Sequence, residues 1–385
     1  MTIIHVLDRS ALGTDQYHCL AISWLRGLAA LQVAAAHLRA ELYPGLRTLA
    51  DPPPLFQGLA FGTGFAHQAV VLFFLVSGWL VGGSLLNKLG QPQAYLSYAI
   101  DRVTRLWTVL IPTFLLMLAV GVGLGELRPM TLDYTASNPY SLIPFVGNLI
   151  GLQTVTLPSF GGNFPLWSLA NESWYYFMFP LLLLTFRPRN EAQRALAIVL
   201  LSLVSALLPA RILLFFVLWL MGAACSRLRL DCGRAARSAL GLLLLTLSLY
   251  FRVRGSNADL SPETFLQDVV LACVLLLLLA SMQVKITHTG PRFTRFAAAG
   301  KFLSEFSFTL YVIHMPLIGL LRRFGRSRLS PQSTGDLLLY LLMLFAVVGG
   351  AYLAYRLFEV HTPAVRQRIR EIVLGPRAPA PILNN

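Results

Sequence analysis

Long apolar blocks, parted by short basic stretches, leave this chain few ways to fold. A membrane-spanning helix needs about 20 mainly apolar residues, each rising about 1.5 Å. Ten such runs can be read, roughly 23–41, 65–87, 106–125, 166–186, 195–208, 211–225, 239–251, 265–284, 302–321 and 336–358. The fifth and seventh are short. Hydrophobic residues make up 56% of the 385 residues and charged residues only 12%, against about 25% charged in a soluble domain. The expectation is an all-α integral membrane protein with about ten transmembrane helices around a polar cavity. Segment 1–22 is expected to be a cytoplasmic N-terminal stretch, 23–363 the transmembrane domain and 364–385 a cytoplasmic tail, with no separate soluble domain.

The net charge of +14 is a matter of topology. Lys and Arg collect in cytoplasmic loops. With the N-terminus inside, 19 basic residues fall in inside segments and nine in outside ones, so both termini are expected in the cytoplasm, in a plasma (inner) membrane protein. The cluster Arg322, Arg323, Arg326 and Arg328 runs against that bias and suits an anionic acceptor or a lipid head group. No basic, aromatic-interleaved surface suggests nucleic acid. Cys19, Cys225, Cys232 and Cys273 form no metal-binding or disulfide spacing, so no metal is expected. The mixed polar N-terminus lacks the marks of a cleaved signal peptide. The outer stretch 126–165 contains LIPFVGNLIGLQTV (142–155), too short to span and suited to a re-entrant or interfacial segment.

Ionisable side chains inside apolar runs are costly and mark functional sites. In WLRGLAALQVAAAHLRA (24–40), Arg26 and His37 are eleven positions apart. That is three turns plus roughly 20°, so both lie on one helix face, about 16 Å apart along the axis. His37 can serve as a general base or merely bond a neighbouring helix. Arg26 and Arg39 can snorkel to the membrane surfaces. In the loop after the second run, Arg102 and Arg105 are three apart. They can grip phosphates or simply decorate the cytoplasmic surface. Glu172, within or at the outer end of the fourth run, can orient His37, hold a substrate hydroxyl or pair with a buried Arg. Trp167, Trp174, Tyr175 and Tyr176 fit an interfacial belt or a stacking surface for a sugar. In FLSEFSFTLYVIHMPLI (302–318), Tyr311 and His314 can share a face.

Taken together these stretches resemble the acyltransferase-3 family of membrane O-acyltransferases. LRGLAALQVAAAH resembles its Arg-ten-residues-His pattern, at Arg26 and His37. FFLVSGWLVGG resembles its Phe-Phe-x-x-Ser-Gly-aromatic segment, at Phe73 to Trp79. RVTR gives the Arg-x-x-Arg motif at Arg102 and Arg105. WSLANESWYYFMFP resembles a further segment through Trp167, Ser168, Glu172, Tyr176 and Pro180. FSFTLYVIHMPLI resembles the Ser-x-x-x-Tyr-x-x-His-x-Pro segment, at Ser307, Tyr311, His314 and Pro316. YRLFEVHTP resembles the closing Glu-x-Pro element more weakly, with three residues in place of one between Glu359 and Pro363. No hydrolase-like extracytoplasmic domain is appended, so a stand-alone acyltransferase is expected.

The resemblance implies an acyl-coenzyme A donor, acetyl-coenzyme A by default, entering from the cytoplasm, with a glycan or lipid-linked sugar as acceptor. Arg102 and Arg105 would hold coenzyme A phosphates, Arg26 would extend that basic path, and His37 would deprotonate the acceptor hydroxyl. Glu172 would orient His37 or bind the acceptor. Trp167, Tyr176, Tyr311 and His314 would line the substrate site. A transporter or flippase for a glycan or lipid intermediate is the alternative, since polar groups in spans suit a translocation path too. Such folds carry paired repeats, and none is visible.

Overall fold

The computed structural model describes residues 3–13, 15–125, 127, 133–255, 262–287, 290–325 and 328–375. Arg128, Arg326 and Arg377, used in the charge count, and the tail from 376 lie outside these residues. The described chain is nearly all helical. The exception is an antiparallel pair, β1 (Ile3–Val6) on β2 (Leu228–Asp231), where two short polar-flanked stretches zip together.

Every apolar run expected to span is helical. The first is α1 (Tyr17–Leu42). Its first amides, Tyr17 N and His18 N, donate to the Val284 and Met282 carbonyls at 3.1 and 3.0 Å, which satisfies groups that a helix start leaves unpaired. A short α2 (Pro54–Gly62) follows, with proline at its first position. The second run is α3 (Ala66–Ser77), a π-turn over Gly78–Gly82, and α4 (Gly83–Lys88). The third, α5, begins at Ala94 and runs to Gly123, so Arg102 and Arg105 sit on a continuous helix rather than in a loop. Residues 142–155 give α6 (Leu142–Leu149), whose Leu142, Ile143 and Val146 are exposed while Pro144, Gly147 and Asn148 are buried.

The fourth to eighth runs are α7 (Trp167–Phe186), α8 (Glu191–Leu207), α9 (Ala210–Cys225), α10 (Arg234–Arg254) and α11 (Phe265–Ser281). The ninth is not one helix. It breaks at Phe306 into α12 (Pro291–Glu305) and α13 (Ser307–Phe324), bent by 52°. The tenth is α14 (Thr334–Leu357), followed by a 3-10 turn and the polar α15 (Thr362–Leu374).

Among the described residues, five helical stretches are long and apolar enough to cross a membrane, and the bent α12–α13 pair would make a sixth. They are Tyr17–Thr48, Pro54–Lys88, Ala94–Gly123, Arg234–Arg254 and Thr334–Leu374. The helices α9 and α11 are apolar but of 16 and 17 residues.

Three apolar clusters hold the bundle. One gathers Trp79, Tyr175 and Trp219 from the π-turn, α7 and α9; a second joins α1, α13 and α14 around Leu38, Tyr340 and Val347; a third packs Phe114 of α5 on Phe160 and Leu166. Where α3 and its π-turn cross α9, small residues let the backbones touch. A Cβ on Gly78 would land on the Trp219 carbonyl oxygen, and one on Gly222 on the Leu75 carbonyl oxygen. Trp219 Nε1 donates to Ser77 Oγ across the same crossing at 3.1 Å. Gly78 of the Ser-Gly-aromatic segment thus serves close helix packing.

A branched residue at Gly222 should force these helices apart. We expect Gly222→Val to lower stability by about 1–3 kcal/mol, read as a fall in melting temperature in detergent. Gly241→Ala, on α10 with nothing near its new methyl, should leave it unchanged or raise it.

Candidate active site

Arg26 and His37 of α1 both face α13. Arg26 Nη2 lies 3.5 Å from Ser307 Oγ, and His37 Nδ1 is 2.8 Å from His314 Nε2. Seven residues of α13 separate those partners, two helical turns, which reproduces the shared face expected from the spacing.

Hydrogen-bond chemistry fixes the tautomers of the histidine pair. His314 Nδ1 contacts the carbonyl oxygens of Tyr311 (2.7 Å) and Leu310 (3.2 Å). A carbonyl only accepts, so Nδ1 carries the hydrogen and, in the neutral ring, Nε2 is the acceptor. His37 Nδ1 must then donate to it. The remaining lone pair of a neutral His37 is on Nε2. The two rings are near parallel (16°), and Phe164 meets His37 edge-on with centroids 5.1 Å apart. His314 is fully buried.

A proline interrupts the hydrogen-bond ladder of α13 beside this pair. Pro316 has no N–H and leaves the carbonyl four residues earlier unpaired. That carbonyl belongs to Val312, and Asn163 Nδ2 donates to it at 2.9 Å. The His-x-Pro spacing thus sets up a docking point for the loop 157–166, which also carries Phe164.

Below the pair, toward the N-terminal ends of α5 and α13, lies a cavity of about 460 Å³. Arg26, Arg102, Arg105 and Arg366 supply positive charge to its wall, and Glu172 and Tyr176 face them. Tyr176 OH donates to Glu172 Oε2 at 2.9 Å. The Arg102 guanidinium lies over the rings of Tyr98 and Tyr176 at 5.8 and 5.7 Å and has no carboxylate partner among the described residues. Arg105, in contrast, is ion-paired to Glu359 and stacked on Phe308. Glu359 also accepts from Thr309 N (3.1 Å) and Thr309 Oγ1, capping the first turn of α13. Around the rim, Asp101 takes Lys88 (2.9 Å), Arg370 (2.6 Å) and, more loosely, Arg366 (3.6 Å), which straps α15 against α5.

Tyr311 roofs this cavity. Its hydroxyl donates to the Pro165 carbonyl at 2.8 Å, so it accepts from Ser168 Oγ at 2.5 Å. Trp167, at the start of α7, packs edge-on against Phe74. The structure therefore gathers Arg26, Arg102, Arg105, Glu172, Tyr176 and Tyr311 around one cavity and sets His37 with His314 beyond its roof. Glu172, expected near the outer end of its helix, shares the cavity with the arginines.

A second cavity of about 440 Å³ lies on the far side of the histidine pair, between the C-terminal halves of α5 and α13. Along α13, residues up to Tyr311 line the first cavity, residues from Met315 line the second, and His314 falls between them.

A family model described as an acyltransferase domain matches residues 20–356. The chain belongs to the acyltransferase-3 family. Neither the curated proteins nor the solved structures include a match. With its apolar helices, this family member is a multi-pass membrane acyltransferase. The match covers Arg26, His37, Arg102, Glu172 and His314, and ends before Glu359 and Arg366.

Glu359 enters the sequence reading only through the closing element of the resemblance, and Asn163 does not enter it. An acid at the end of an apolar run hints at the first. Pro316 announces a carbonyl in need of a donor, but not which residue gives it. Removing the Glu359 carboxylate leaves Arg105 uncompensated, at a cost of about 3 kcal/mol. We expect Glu359→Ala to show that loss in thermal unfolding in detergent, and Glu359→Gln, which still accepts from Thr309, to lose less.

Proposed function

We propose that this protein transfers an acyl group, acetyl by default, from cytoplasmic acyl-coenzyme A to a hydroxyl of a cell-surface or secreted polysaccharide, or of a lipid-linked sugar. One observation carries the reading: a histidine pair of defined tautomer lies between two cavities, one of them arginine-lined. A donor seated in one and an acceptor seated in the other would meet across such a pair, which suits group transfer between the two sides of a membrane. Ten crossings of the inner membrane with both termini cytoplasmic accord with the ten helical runs and the charge asymmetry.

Arg102, with Arg26 and Arg366, holds the donor phosphates, because bidentate guanidinium contacts suit phosphate. Arg105 acts chiefly through its pair with Glu359. The acceptor hydroxyl loses its proton to His37 Nε2 as its oxygen attacks the acyl carbonyl. The tetrahedral intermediate collapses, the C–S bond breaks, and the imidazolium returns the proton to the departing thiolate. The ester and free coenzyme A are the products. His314 is a positioning residue: its lone pair holds His37 Nδ1–H and so keeps the basic nitrogen at Nε2. Glu172 balances the arginines of the donor cavity.

Three results test this. With purified protein and labelled acetyl-coenzyme A, His37→Ala should cut transfer by about 10²–10⁴-fold at normal expression and folding; activity near that of the unaltered protein would remove His37 from the reaction. Arg102→Ala should raise the donor KM about tenfold. His314→Gln should lower kcat with the donor KM unchanged. Mass spectrometry of surface glycans from cells with and without the intact gene identifies the acylated hydroxyl.

A further inference from the structure

The second cavity has a chemistry of its own. Its floor is the Gly161–Gly162 turn, both residues left-handed with φ of 58° and 71°. A Cβ at Gly161 would collide with the Met117 methyl, so glycine there keeps the turn close against α5. Asn163 lines the cavity too. Its Nδ2 is committed to Val312, while its Oδ1 is buried with no hydrogen-bond partner among the described residues. A buried acceptor left unpaired costs about 1–3 kcal/mol, and an incoming hydroxyl would satisfy it.

Arg322 and Arg323 complete the lining. Arg322 is ion-paired to Glu41 of α1. Arg323 is exposed and has no carboxylate partner among the described residues. Two cations and one carboxylate leave one positive charge at this wall. Cations in a last helical turn do offset the helix dipole, but that need does not require both of them to line a cavity containing an unpaired amide oxygen. The volume lies within the range of about 300–1,000 Å³ typical of small-ligand sites.

We infer that this cavity binds the acceptor as an acidic sugar, its carboxylate or phosphate held by Arg323 beside the Arg322–Glu41 pair and a ring hydroxyl given to Asn163 Oδ1. The inference rests on the acyl-transfer reading for the word acceptor, and on the cavity alone for the anion. Asn163 joins the two parts of the site. It adjoins Phe164, whose ring touches His37, so a sugar seated here has further hydroxyls toward the histidine pair.

The test uses the full-length protein in zwitterionic phosphatidylcholine nanodiscs and three probes: tetragalacturonate, its methyl ester and mannose 6-phosphate. Tight binding is expected for at least one of the anionic probes and weak binding for the ester. Arg323→Gln should weaken the anionic probe about tenfold, and Arg323→Lys should recover most of it. Equal binding of acid and ester together with weak binding of mannose 6-phosphate, or no effect of Arg323→Gln, overturns the inference. Retention of phosphatidylglycerol that is lost in Arg323→Gln, with sugar binding unaffected, makes the anion a lipid head group and also overturns it. Transfer from labelled acetyl-coenzyme A is followed in the same discs. Charge-blind transfer sinks the acidic-sugar assignment while acyl transfer stands. Charge-dependent binding with no transfer to any probe supports the anion site and counts against acyl transfer to these sugars.

Discussion

In a bilayer core bulk water cannot satisfy a freed backbone group, and a break in a helix has to be repaired from within the protein. The α13 segment shows how much hangs on this. Pro316 frees the Val312 carbonyl, and Asn163 repairs it. The break at Phe306 frees the first amides of α13, and Glu359 takes one of them, at Thr309. Those two repairs bring in the loop before α7 on one side and the segment after α14 on the other. The first carries Phe164 to His37. The second carries Glu359 to Arg105. A straight, unbroken helix would have needed neither partner.

Charge follows the same economy of place. The arginines of the first cavity are not an undifferentiated basic patch. Arg105 is neutralised by a buried carboxylate, Arg366 and Arg370 share Asp101 with Lys88, and Arg102 is left over aromatic faces. Net positive charge therefore persists where a ligand can reach it, while the rest is spent on fastening α15 and the turn before it. At the opposite end of α1, Arg39 donates from Nε to Thr63 Oγ1 at 2.8 Å, joining α1 to the end of α2. A cation that could have snorkelled to the surface instead ties a loop down.

Periodicity and composition made the helices legible, along with the shared face of Arg26 and His37. They did so because hydrophobic length and the 3.6-residue repeat are local properties. The family motifs pointed to stretches that the fold brings around one cavity and the histidine pair. Pairings were beyond reach, since a helical pattern shows which face is polar and not what meets it. His37 and His314 are 277 residues apart, and nothing local in either segment specifies the other. The start of α5 was missed because its first turns carry Asp101, Arg102 and Arg105, which read as loop until Asp101 is seen paired with Lys88, Arg366 and Arg370, and Arg105 with Glu359. The break between α12 and α13 was missed because FLSEFSFTL has no proline or glycine to announce it.

The distance along the chain between Arg105 and Glu359 has a consequence for how the protein is made. The two are 254 residues apart, and at about 5–20 residues per second the ribosome needs on the order of tens of seconds to cover that interval. During it, α5 enters the membrane with Arg105 lacking its carboxylate and α13 lacking its cap. Both then mature in a single late event, when the turn after α14 folds back. The first cavity is thus assembled at the end of biogenesis, and a nascent chain halted before that turn would be inserted but unfinished.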